Sequence, residues 1–190
     1  MTRIAEQGHR PDLATQDPKE VFAWLFDTYA GQIRAYLAGR VGPDEADDLV
    51  AETFLVALKR RAAYDPSQAT ARSWLYGIAT NLMRNHVRQE VRTLRLTSRA
   101  AAAEPNIENH DTTVAARVDA EARMRTLAGA LAKLTEQDRD VLFLTSWAGL
   151  EPAEVADALN IPPSTVRSKL HRLRTRLQTL LANSPKEPPR

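Results

Sequence analysis

The sequence predicts an all-α protein: two small helical domains joined by a flexible linker, the C-terminal one containing a helix-turn-helix. Three observations lead there. Apolar residues recur at three-to-four spacing through most of the 190 residues, the period of a helix with one buried face. Neither an alternating β-branched run nor an Asn-Gly or Asp-Gly hairpin turn is present. Between Thr93 and Thr113 the period fails, leaving an alanine run, Pro105 and scattered polar residues, which is linker composition.

Residues 1–17 are polar, contain Pro11 and are expected to form a disordered leader. The first domain spans 18–93. Its first helix runs from Pro18 to Ala38 with Phe22, Leu25, Phe26, Tyr29, Ile33 and Leu37 on the apolar stripe, and Gly39, Gly42 and Pro43 break it. A second helix opens at Pro43 and ends near Ala63, and Asp65-Pro66-Ser67 is a turn. The third runs from Thr70 to Arg92 or beyond, with Trp74, Leu75, Ile78, Leu82 and Val87 as core. After a linker at 94–113 the second domain spans 114–182. Helical pattern resumes near Val114 and continues to Leu134, and Thr135 reads as the N-cap of the next helix. That helix holds Val141, Leu142, Leu144 and Trp147 and ends at Gly149. A short helix from Pro152 to Leu159, the turn Asn160-Ile161-Pro162 and a last helix from Pro163 to Leu181 follow. Residues 183–190 carry three prolines and are expected to be a disordered tail.

Composition narrows the function classes. With 43% hydrophobic and 26% charged residues, the chain has ordinary globular composition and is not wholly disordered. No stretch approaches the ~20 apolar residues of a membrane span, and Met1 to Pro18 lacks the apolar region of a signal peptide, so no membrane insertion and a cytoplasmic location are expected. Zero Cys removes disulfides, thiol catalysis and Cys-ligated metals. The net charge is only +2, but it is unevenly spread. From Asp44 to Phe54 there are five acids and no base; from Ile161 to Ala182 there are five bases and no acid. A basic block on a folded element suggests a polyanion partner, and the acidic block needs a different one.

Residues 150–177 fit a helix-turn-helix. Pro152 pre-sets the first helical position, and Val155, Ala156 and Leu159 face inward. In the second helix Val166, Leu170, Leu173 and Leu177 form the inner stripe. Ser164, Thr165, Arg167, Ser168, Lys169 and Arg172 are then left outside. Short hydroxyls and long cations on the N-terminal half of a helix suit the major groove, where hydroxyls bind phosphate and Arg reads guanine. His171 reads as a surface or phosphate contact, since no second metal ligand lies nearby. On a basic stripe alone a solvated helix face would be the better reading; the preceding short helix and tight turn favour DNA.

In the N-terminal half, Asp44, Asp48 and Glu52 stand at i, i+4 and i+8, one stripe of a helix. Alone, that stripe reads first as a cap complementing the helix dipole. Further on, aromatics are interleaved with Arg and Asn from Tyr64 to Arg88, a pattern suited to stacking bases and holding phosphates of single-stranded nucleic acid. Trp74, in phase with Ile78 and Leu82, reads as core. Tyr64, Asn81, Arg84 and Arg88 are the surface candidates.

Together the two halves resemble a group IV (extracytoplasmic-function) sigma factor of bacterial RNA polymerase, over residues 20–180. The carrying segments are Ala46-Asp47-Asp48-Leu49-Val50-Ala51-Glu52-Thr53-Phe54-Leu55, Ser73-Trp74-Leu75-Tyr76-Gly77-Ile78-Ala79-Thr80-Asn81 and Pro163-Ser164-Thr165-Val166-Arg167-Ser168-Lys169-Leu170-His171-Arg172. The resemblance implies that Asp44, Asp47, Asp48, Glu52 and Phe54 dock on core RNA polymerase, whose beta and beta' subunits are the expected partners. It implies that Tyr64, Trp74, Asn81, Arg84 and Arg88 read and melt the −10 promoter element. Ser164, Thr165, Arg167, Ser168, Lys169, His171 and Arg172 would then read the −35 element as duplex. An anti-sigma factor is a further implied partner, while neither cofactor nor metal is expected. The chain differs from the usual family pattern at Leu58, Asn85, Ser164 and Lys169, and Lys lacks the rigid fork of Arg. An ordinary helix-turn-helix regulator would explain residues 122–182 but not the acidic helix or the Trp74–Arg88 segment. A helical enzyme is disfavoured by the absence of a nucleophile–base pair, a phosphate-binding Gly loop or a metal cluster.

Overall fold

The structure, a computed structural model, describes residues 10–13, 17–100, 129–131 and 133–182. Six helices order it: α1 (Pro18–Val41), α2 (Pro43–Lys59), α3 (Ala71–Ala100), α4 (Glu136–Ser146), α5 (Pro152–Leu159) and α6 (Pro163–Ala182), with a 3₁₀ turn at Arg61–Ala63. No strand occurs among the described residues, and none of their helices is long and apolar enough to cross a membrane. The expected helix over 114–128, the 101–113 part of the linker and the tail lie outside the described residues.

Local chemistry sets the boundaries of α1 and α2. Asp17 caps α1 by accepting the Lys19 N–H at 2.9 Å, with Pro18 next to it. The helix stops at Gly42, whose φ of +103° and ψ of 165° fall in backbone space essentially confined to glycine. Pro43 restarts the chain as α2. Val21, Leu25, Tyr29, Ile33, Tyr36 and Leu37 bury the inner face of α1 against Ala46, Leu49, Val50, Thr53, Phe54 and Ala57 of α2. Thr70 starts α3 by accepting the Ser73 N–H at 3.0 Å. Ala71, Leu75, Tyr76, Ile78, Ala79 and Met83 then close the core of this unit.

Three residues expected in the core are outside it. Phe26 is 48% exposed because it stands one position off the Leu25–Tyr29–Ile33 seam. Val87 is exposed where α3 has run past α1 and α2, and the helix, expected to reach Arg92 or beyond, continues to Ala100, over the first residues expected to be linker. The stretch from Thr93 to Ala100 contains no proline or glycine to stop it. Trp147 is 60% exposed at the end of α4, its ring lying over Gly39 of α1. Conversely Leu13, in the stretch expected to be loose, is 1% exposed and belongs to the core, while Arg10 donates to the Pro66 carbonyl.

Two tyrosines at the centre of the first unit differ in a testable way. Their rings meet edge-on at 5.4 Å. The Tyr36 hydroxyl is hydrogen-bonded to Thr80 at 3.0 Å, whereas the Tyr76 hydroxyl has no partner among the described residues. Tyr36→Phe should therefore cost about 1 kcal/mol at neutral pH, and Tyr76→Phe should be neutral or slightly stabilising, because it removes an unpaired buried group. Thermal melts of the two variants check this; equal losses would contradict it. Burial pushes both phenols up to about 12. Their folded values exceed the ordinary 10, so this stability is complete below pH 10 and is lost as pH rises towards 12.

The second unit is built from α4, α5 and α6 around Leu134, Val141, Leu144, Leu150, Val155, Val166 and Leu173. Thr135 caps α4 by accepting the Asp138 N–H at 3.1 Å. Glu151 and Glu154 form a reciprocal capping box on α5. Asn160, left-handed at φ 51°, ends α5 and turns the chain into α6.

Candidate nucleic-acid interface

Helix α6 is held by its inner stripe. Val166 and Leu173 are buried and Leu170 and Leu177 half-buried, as their spacing requires. The Pro162 carbonyl accepts the Thr165 N–H at 2.9 Å, so the helix starts tightly against the turn. Ser164, Arg167, Ser168, His171 and Arg172 face outward and Thr165 is half-buried. Lys169 is the exception on this face. Its ammonium donates to Asp138 at 2.6 Å, at the first turn of α4, and the side chain is 13% exposed. Burial alone would raise the Asp138 pKa, but hydrogen bonds from Lys169 and Thr135 hold the carboxyl below its ordinary value. Sequence spacing placed Lys169 on the outer face; the long side chain instead lies across to the acid that caps α4.

The first half of α3 and the turn before it form a second surface. Tyr64 is 7% exposed, not a surface ring. Its hydroxyl donates to the Ala69 carbonyl at 3.1 Å, and its ring rests on Trp74 at 5.1 Å. Tyr64 thus shapes the 64–70 turn from beneath, with Asp65 accepting the Ser67 N–H at 2.8 Å. Trp74 is half-buried, and Asn81 is exposed. Arg84 and Arg88, expected to be open to DNA, already meet carboxylates. Arg84 Nε donates to Asp140 at 2.7 Å, and Arg88 Nη2 lies 3.0 Å from Glu136.

The third surface is the acidic face of α2. Asp44, Asp48 and Glu52 are exposed along one stripe. Asp47 pairs with Arg34 at 3.0 Å, and that hydrogen bond holds its carboxyl below the ordinary range. Phe54, expected to touch a partner, is 8% exposed and packs edge-on against Phe26 at 5.0 Å. The exposed ring beside the acids is therefore Phe26. Among the described residues no group of three His, Asp or Glu is placed to hold a metal.

Sequence reasoning missed Arg40, Arg72, Asp140 and Glu154. Asp140 is completely buried, with Arg40 Nη2 at 2.9 Å on one oxygen and Arg84 on the other. One signal for it existed: an acid one turn before Leu144, in phase with the buried stripe of α4. Isolated Gly77 inside a helical pattern was a second, since such a glycine marks a close approach. A Cβ there would meet the Ala158 carbonyl oxygen of α5 at 2.7 Å.

A Sigma-70 region 2 family model matches residues 25–93, and a Sigma-70, region 4 model matches residues 124–177. The chain is 33% identical over 136 residues to the ECF RNA polymerase sigma factor SigC of Mycobacterium tuberculosis, covering 70% of this chain and 68% of that protein. It is 29% identical over 170 residues to the ECF RNA polymerase sigma factor SigW of Bacillus subtilis, covering 86% and 90%. In fold it is similar to CnrH in complex with the cytosolic domain of CnrY, with a TM-score of 0.61 at 23% identity, covering 96% of this chain and 97% of that one.

Proposed function

The chain belongs to the extracytoplasmic-function sigma factors of the sigma-70 family and is an alternative sigma factor directing transcription initiation, and on that premise we propose how its surfaces divide the work. The exposed acids Asp44, Asp48 and Glu52, with Phe26 beside them, dock on core RNA polymerase. The outer face of α6, from Ser164 to Arg172, reads the −35 duplex. The 64–70 turn and α3, with Trp74, Asn81, Arg84 and Arg88, take the −10 element as it opens. One observation carries the scheme: the exposed acids lie on α2 and the exposed bases on α6, each held outward by a buried apolar stripe. One chain therefore presents two opposite electrostatic surfaces, for a protein and for a polyanion.

The described residues of the two units are 18–100 on one side and 129–131 and 133–182 on the other. Opening DNA requires that the separated strand bind more tightly than the duplex did. The chain has no phosphate-binding Gly loop, so we assign that step to binding energy rather than to catalysis. A flipped base costs a few kcal/mol and stacking on a ring returns ~1–3 kcal/mol. Because polymerase and promoter DNA are its partners, we place the protein in the cytoplasm. CnrH was solved with CnrY, and RpoE of Bartonella quintana with the anti-sigma factor NepR; an anti-sigma partner is part of the same proposal.

Run-off transcription with core polymerase on genomic fragments tests the reading. Asn81→Ala is the informative variant because Asn81 is exposed and makes no hydrogen bond to the other unit among the described residues. Permanganate reactivity at the start site should fall roughly tenfold on linear template, the size expected of one lost amide–base contact. A pre-melted bubble should restore transcription. Normal opening by Asn81→Ala on linear DNA would remove α3 from the melting step.

A further inference from the structure

The 64–70 turn is also held from outside its own segment. Residues 10–13 precede α1 and are not helical. Pro11 and Leu13 are buried and Asp12 between them is half-buried, so every second residue pins this strap to the body. Leu13 is 1% exposed and shares the core of the first unit with Tyr64, the ring beneath the turn. At the outer end of the strap Arg10 is exposed, and its Nη1 donates to the Pro66 carbonyl, 56 residues further along the chain.

The turn closes most of its own polar groups. The Asp65 carboxylate accepts the Ser67 N–H at 2.8 Å, and the Asp65 carbonyl accepts those of Gln68 and Ala69 at 3.1 and 3.2 Å. Tyr64 takes the Ala69 carbonyl from below. No backbone N–H among the described residues reaches the Pro66 carbonyl; Arg10 supplies its donor. Burial pushes the Tyr64 phenol up to about 12 and the Arg10 charge works against that rise, so the guanidinium lies close to the same turn. A hydrogen bond in open water adds little to stability. Its consequence is direction: the peptide unit is planar, so holding the Pro66 carbonyl also sets the plane from which Ser67 and then Gln68 project. Both of these residues are exposed at the tip.

We propose that Arg10 is a positioning residue for −10 recognition: the strap, anchored by Leu13, fixes the Pro66 carbonyl and with it the direction in which Ser67 and Gln68 meet the opened strand. This role rests on the reading of the turn as a −10 surface, and its test separates the two. The readout is a ratio of affinities, measured with holoenzyme assembled from core polymerase and the full chain. One probe is a single-stranded −10 oligonucleotide from a promoter found by run-off transcription; the other is the same strand with its −10 bases scrambled. Arg10→Ala should lower the ratio roughly three- to tenfold, because the turn must then be ordered at the moment of binding. Core affinity and melting temperature should not change, since the position is exposed. Arg10→Lys keeps a donor and should restore most of the ratio. Leu13→Ala should lower both the ratio and the melting temperature. The double variant should lose no more selectivity than the larger single loss, as two residues acting through one strap require.

If Arg10→Ala weakens both strands equally and flattens the salt dependence, Arg10 is a phosphate contact and the positioning role is overturned. If Ser67→Ala/Gln68→Ala lowers the ratio and Arg10→Ala does not, the turn reads the element without the strap. If neither lowers it, the turn is not a −10 surface and the role of Arg10 falls with it.

Discussion

Reversing Asp48 and Glu52 to lysine should abolish binding to core RNA polymerase, by roughly a hundredfold or more, while leaving the fold unchanged. Both carboxylates are exposed on α2, and neither has an ion-pair partner among the described residues. Asp47 differs because its charge is already committed to Arg34. A partner surface complementary to this stripe would meet two like charges instead of two opposite ones, and such juxtapositions cost several kcal/mol at an interface. Exposed helix positions contribute little to stability, so the melting temperature should stay close to that of the parent. The check is a pull-down or a titration of labelled chain with core polymerase, alongside far-UV circular dichroism. Undiminished affinity in a normally folded double variant would move the docking surface elsewhere.

Alanine at Arg167 or at Arg172 should weaken binding to an upstream-element duplex by roughly 1–3 kcal/mol each, relaxing base preference where a guanine is read. Both side chains are exposed on α6, which is anchored by Val166 and Leu173. Lys169→Ala should behave differently, although it sits on the same helix. Its ammonium is held by Asp138, so its loss should cost about 1 kcal/mol of stability, a few degrees of melting temperature for a chain of this size. Base preference should hardly change. Because the Asp138 carboxyl is held below its ordinary value, this contribution is complete at neutral pH and is lost as pH falls through the depressed value. Duplex titrations at two salt concentrations separate base reading from phosphate attraction. If both arginine variants bind the duplex as the parent does, α6 is not the recognition helix.

These contrasts show which parts of the protein were legible in order of residues alone. The helices were, because their signals are local. Pro18, Gly42 and Pro43, Thr135, and Pro152 each act within one turn of their own position. The helix-turn-helix was legible for the same reason: Asn160, Ile161 and the two prolines set the turn, and the Val166–Leu173 stripe turns the cations outward. Segments from each half, read in order, were enough for the family resemblance.

What the residue order by itself determined is therefore the sequence of helices, their buried stripes and the separation of acidic and basic blocks, all products of periodicity and capping. Tertiary packing decided which side chains of the candidate surfaces are available. Phe54 and Tyr64 fit a surface pattern but fill space beside Phe26 and Trp74. Arg84 and Arg88 fit a DNA pattern but meet acids 56 and 48 residues away in the chain. Asp140 looked like one more acid in the first turns of α4, and Arg40, 100 residues earlier, completes its surroundings. The physical reason is range: caps and helical period act over about four residues, whereas burying a charge depends on a counter-charge that the fold alone brings to it.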